Sequence, residues 1–152
     1  MRASATGSHH LYERLPRSQR TELGLVHVAN VEQLCGPSPT PELMWQWAGG
    51  LLTWSYVAAK LGLGEPEMDL QMQLAIRVVR RFAATRVVQL HVAEKALAKQ
   101  GAAVCDALAA EVTVAIAVDA AMWSEAQMLV ITASAEAGCE IDYSSRPKEV
   151  AA

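Results

Sequence analysis

From Glu67 to Gln100 the chain runs for 34 residues without a proline or a glycine. Ordinary strands and their turns are too short to accommodate such a stretch, so it constrains the fold more than any other feature. Glu65, Glu67 and Asp69 stand where the positive end of a helix dipole favours acids, and Lys95 and Lys99 suit the opposite end. Leu70, Leu74, Val78 and Phe82 recur every four residues, continued by Leu90, Ala93 and Leu97, with Gln73, Arg77, Arg80, His91 and Lys95 on the other side. The spacing predicts a helix over 67–100, about 50 Å long at 1.5 Å per residue. A rod of that length belongs in a bundle or a subunit contact.

A second helix is expected over 41–61. Thr40 is a good N-cap, Pro41 takes the first helical position, and Glu42 follows in the first turn. Trp47, Leu51, Trp54 and Ala58 fall on one stripe, which reads as core packing. Gly62 and Gly64, with Pro66 just beyond, end this helix, since glycine takes the left-handed conformation and proline cannot continue a helix. The uncharged run 43–59, LMWQWAGGLLTWSYVAA, is shorter than the roughly 20 residues that cross a bilayer. A buried core helix is expected there, and no membrane partner.

Gly101 marks a turn, and a third helix is expected over 102–137. It consists mostly of Ala, Val, Ile, Leu and Met, with Asp106, Glu111, Asp119 and Glu125 spaced along it. So narrow a polar stripe implies burial on most sides, at the centre of the bundle or in an oligomer interface. The fold read from these segments is an all-α bundle of three long helices at 41–61, 67–100 and 102–137, forming one domain over 41–138. Residues 1–40, broken by Pro16, Gly36, Pro37 and Pro39, read as an irregular N-terminal arm in which Leu23 to Val31 forms a helical turn or a strand-like docking segment. Four arginines and a single acid in the first twenty residues suit a transit peptide, a cloning remnant around Gly7-Ser8-His9-His10, or a plain flexible arm. Residues 139–152 read as a polar tail.

The formal charge of −3 argues against a nucleic-acid partner, which needs a surplus of Lys and Arg. The charge is unevenly spread: residues 1–100 hold eleven cations and eight acids, residues 101–152 two and eight. Cys35, Cys105 and Cys139 form no paired spacing. They read as free thiols of an intracellular, reducing compartment, cytoplasmic or organellar, with Cys105 a small core residue.

Arg77, Arg80, Arg81 and Arg86 lie in a stretch without an acid, Leu70 to Ala93. They suit a phosphate-rich ligand, or pairing with the acidic third helix. His91 and Glu94 form half of one reversed carboxylate-bridged metal motif, so no metal is expected. Glycine-rich phosphate loops, nucleophile elbows and zinc-protease signatures are absent from the sequence, and no catalytic residue is assigned.

The joint Tyr56 to Gln71, YVAAKLGLGEPEMDLQ, orders an aromatic, a cation four residues on, an apolar-Gly pair at Leu63-Gly64, Pro66, and Gln71 in a helix. This resembles the joint between the first two helices of the C-terminal domain of acyl-CoA dehydrogenases, with Lys60 where that family has Arg and Leu63 where it has Phe. The resemblance implies a helical bundle over 41–138 and places Lys60, Leu63 and Gln71 at an FAD contact. It implies a fragment or small subunit that assembles with partners, as a homo- or hetero-oligomer through its long helices, and touches FAD or acyl-CoA. The family's β-domain and N-terminal helical domain have no room in 152 residues, so dehydrogenation by this chain alone is not expected. The other reading is a non-enzymatic structural or assembly subunit of a larger complex.

Overall fold

The structure, a computed structural model, describes residues 11–138. The polar tail, Cys139 and the first ten residues lie outside that range. Five helices make up the described part: α1 (Arg17–Leu34), α2 (Pro41–Leu61), α3 (Glu65–Thr85), α4 (Val92–Ala109) and α5 (Val114–Ala137). The all-α class stands, but the three long helices expected from the sequence are five.

α2 is the centre. Thr40 accepts the Leu43 amide hydrogen at 3.3 Å, and Gly62 closes the helix with φ +65°, so its bounds are those the cap and the glycines dictate. Trp47, Leu51, Trp54 and Ala58 are all buried, as the stripe requires. Around α2 pack α1, α3 and α5, while α4 bridges α1 and α3. The uncharged run is therefore a core helix of the bundle.

The expected 67–100 rod breaks into α3 and α4. At Arg86 the backbone turns left-handed, φ +61°, a conformation that costs a non-glycine residue about 1 kcal/mol. Residues 87–91 then run extended, with Val88 and Leu90 buried and Val87, Gln89 and His91 exposed. The two-residue alternation of this Val-Val-Gln-Leu segment overrides the helical spacing around it. On α3 the expected stripe holds at Leu74 and Val78, both buried, with Phe82 packed on the core, while Leu70 is half-exposed and the buried face extends instead to Met68, Gln71, Met72, Ala75 and Val79.

The expected 102–137 helix likewise breaks, between Ala109 and Val114. Thr113 caps α5 by accepting the Ile116 amide hydrogen at 3.3 Å, and an extended piece of the N-terminal segment closes the joint. Leu15 N donates to Val112 O and Val114 N to Glu13 O, both at 3.1 Å. Gly101 is no turn; it sits inside α4 where the Gln71 side chain crosses it.

Most of the described part of the N-terminal arm, residues 11–40, is also helical. α1 buries Gly24, His27, Val31 and Leu34, while Leu23, Leu25 and Val26 are exposed. Its inward face is thus carried partly by a glycine and a histidine, which hides the period from any search for apolar spacing. Gly24 admits the Asp106 carboxylate of α4, whose Oδ1 lies 2.9 Å from where a Cβ would stand.

Candidate functional site

The arginine-rich stretch closes on itself. Arg81 forks onto Glu94 with Nη1–Oε1 2.9 Å and Nη2–Oε2 3.1 Å, and Nη1 also donates to Gln89 O at 2.7 Å. The His91 backbone N donates to Glu94 Oε1 at 2.9 Å, and Arg77 Nε stands 3.9 Å from Oε2. Burial pushes the Glu94 carboxyl up, but the Arg81 hydrogen bonds, the His91 amide and the nearby positive charge outweigh it and hold the group below the usual carboxylate range. The H-x-x-E pair is therefore a helix start. It ties α4 to α3 and pins the extended connector between them. The acid that answers Arg77 and Arg81 lies at the head of α4, not on the acidic segment 102–137, and Arg86 lies over the Phe82 ring.

The three residues of the joint motif occupy different surroundings. The Lys60 ammonium lies over the Tyr56 ring, 5.6 Å from its centroid, at the end of α2. Leu63 is half-exposed in the turn. Gln71 is buried between α3 and α4, where Nε2 donates to Leu97 O at 2.7 Å and Oε1 has no hydrogen-bond partner. Its Cγ comes within 2.9 Å of where a Cβ on Gly101 would stand, and its amide is closer still. Gln71 is thus held in a helix crossing that only a glycine at 101 permits.

The buried cysteine and histidine add no reactive centre. Burial pushes the Cys105 thiol up to about 12 and lowers His27 to about 4, so both are neutral at pH 7. Cys35 is raised by burial against the charges of Lys99 and Lys95, which leaves it a thiol rather than a thiolate.

The least expected surface is α5. It buries only Ala120, Ser124, Ile131 and Ala135, three of which are small. Ile116, Trp123 and Met128 are partly buried against the core, but four large side chains face solvent: Val118 is 50% exposed, Met122 67%, Leu129 70% and Val130 61%. At 100° per residue, Val118, Met122, Ala126, Leu129, Ala133 and Ala137 form one continuous apolar stripe opposite the buried one. Against α2 the helix is held by a hydroxyl pair and an aromatic pair. The Thr53 and Ser124 hydroxyls meet at 2.8 Å, and the Tyr56 and Trp123 rings lie 5.5 Å apart. Beside this seam opens a groove of about 420 Å³ lined by Gly49, Thr53, Ser124, Glu125, Met128, Leu129 and Thr132. A helix apolar on every side gives no sequence signal of which side faces in, which is why the outer stripe was not legible in advance.

Comparison of the chain with protein-family models, with curated proteins and with solved structures returned no match. Its function is therefore read from these surfaces.

Proposed function

We propose that this chain is a non-catalytic assembly module that docks onto another protein through α5. One observation carries the reading: besides the side chains it packs on the core, α5 leaves Val118, Met122, Leu129 and Val130 half or more exposed. A helix whose only task is to complete this bundle gains nothing from large apolar side chains at those four positions, since each contributes about 1.5–3 kcal/mol only when fully buried. The largest contiguous apolar patch on a monomer is often a functional surface. Val114–Ala137 is also long and apolar enough by composition to cross a membrane, but Asp119, Glu125 and Glu136 within it would each be costly in hydrocarbon, so a protein partner is favoured.

The test is a pair of substitutions, Met122→Lys with Leu129→Lys. Both side chains are mainly solvent-facing, so the bundle's own stability should change by no more than about 0.5 kcal/mol. Tagged and expressed in its own cells, the wild-type chain should migrate in a complex well above its 16.4 kDa, and the double variant as a folded monomer. A wild-type chain that is monomeric in native extract, or a complex that survives both substitutions, rejects the reading. Titration of the same preparation with FAD tests the contact implied for Lys60, Leu63 and Gln71. A flavin band that co-elutes with the chain and weakens in Lys60→Ala would support a flavin-binding relative of the acyl-CoA dehydrogenase domain, and its absence would leave assembly alone.

A further inference from the structure

We infer that the element covering α5 is a basic amphipathic helix of a partner protein. This rests on the assembly reading and names the partner's chemistry. Charge is the first ground. From Gly101 to Gly138 the chain holds five acids and not one Lys, Arg or His. Asp119, Glu125 and Glu136 are all exposed. On the helical wheel Asp119 borders one side of the apolar stripe and Glu125 and Glu136 the other. The groove alongside repeats the pattern, lined by Glu125, Thr53 and Thr132 beside Met128 and Leu129. Such a groove receives a lysine or arginine whose methylenes lie on the apolar floor while the charged end reaches the carboxylate. A partner helix with its own apolar stripe and cationic edges complements every part of this surface.

Area is the second ground. Twenty-four residues at 1.5 Å each make a strip about 36 Å long and about 10 Å wide. That is of the order of 350 Å², well under the roughly 800 Å² that each partner contributes to a standard stable interface. The strip is sized for one helix rather than for the face of a second globular subunit. A second copy pairing through α5 would also bring acidic edges against acidic edges with no cation on either helix. An anionic membrane surface meets the same repulsion, since helices that lie on such surfaces carry Lys and Arg on their flanks.

The test uses the full chain and two synthetic helical peptides of α5's length that share one Leu/Ala stripe, one flanked by Lys and the other by Glu. By fluorescence anisotropy at low salt the Lys peptide should bind roughly tenfold more tightly than the Glu peptide, as about three weak ion pairs supply. The gap should narrow at physiological salt. Glu125→Lys with Glu136→Lys should reverse the preference, and Met122→Lys with Leu129→Lys should abolish binding of both peptides. Equal binding, or none, overturns the inference. So does light scattering that shows the chain alone dimerising until Met122→Lys separates it, or flotation with phosphatidylcholine–phosphatidylserine vesicles by a chain that ignores the Lys peptide. If the native complex is found but the Lys peptide is not preferred, the basic partner falls and the assembly reading stands.

Discussion

Gly101→Ala should destabilise this protein although it puts a better helix former in the middle of α4. Glycine inside a helix costs about 1 kcal/mol relative to alanine, so an unobstructed site would gain by that amount. This site is obstructed: the Gln71 amide lies against the Gly101 Cα, with even Cγ only 2.9 Å from the added Cβ, where ordinary contact begins near 3.4 Å. Gln71 is 3% exposed and cannot swing into water without parting α3 from α4. The substitution therefore removes the Nε2 bond to Leu97 O, about 1 kcal/mol, and overpacks the crossing by about 1–3 kcal/mol. Set against the gain in propensity, the net loss is about 1–3 kcal/mol. In a Gln71→Ala background the obstruction is gone, and Gly101→Ala should become stabilising by up to about 1 kcal/mol. The difference between backgrounds, about 2–4 kcal/mol, exceeds the error of urea denaturation followed by circular dichroism. Gly101→Ala that is neutral, or equally harmful with and without Gln71, would refute this account of the α3–α4 crossing.

Stability should rise with pH between 4 and 6.5. His27 has an ordinary pKa of 6.5 and about 4 in the fold, so the unfolded chain binds the extra proton in that window. Its contribution is present above pH 6.5 and is lost as pH falls through the folded value, about 3 kcal/mol in all. His27→Gln should flatten the slope above the carboxylate range, measured by urea midpoints at several pH values; an unchanged slope would assign it to other groups. Glu94→Gln should cost about 2 kcal/mol, because Arg81 keeps its half-buried position while its ionic partner is lost. Hydrogen exchange should accelerate first at the amides of Val87 to His91, whereas uniform acceleration across the bundle would mean that the pair does not pin the connector. The Glu94 carboxyl is held low, so its share of stability persists above the ordinary carboxylate range and disappears as pH falls below it.

The helical class, the bounds of α2, its buried tryptophan stripe and the Gly138 end of α5 were all legible in residue spacing and caps. The two broken rods were not, because neither break uses Gly or Pro. Arg86 adopts the left-handed turn without being glycine, and Thr113 caps α5 from within an apolar run. Two signals did exist. His91 and Glu94 stand three residues apart as a helix start requires, and Val88 to His91 alternate apolar and polar at a period of two. α1 carries no apolar period in the sequence because Gly24 and His27 occupy its inward positions. Gln71 and Gly101, far apart in sequence, give no sign of meeting. The outer face of α5 was invisible for the opposite reason: with apolar residues on all sides, only packing decides which side remains open.

The most direct test of α5 as the contact helix is site-specific photo-crosslinking in native cells, with a benzophenone amino acid at position 122 or 129, and at 92, on the exposed start of α4, as a control. Crosslinks from 122 and 129 to a distinct protein, with none from 92, are the predicted result. Positions 122 and 129 as silent as 92 would contradict the account.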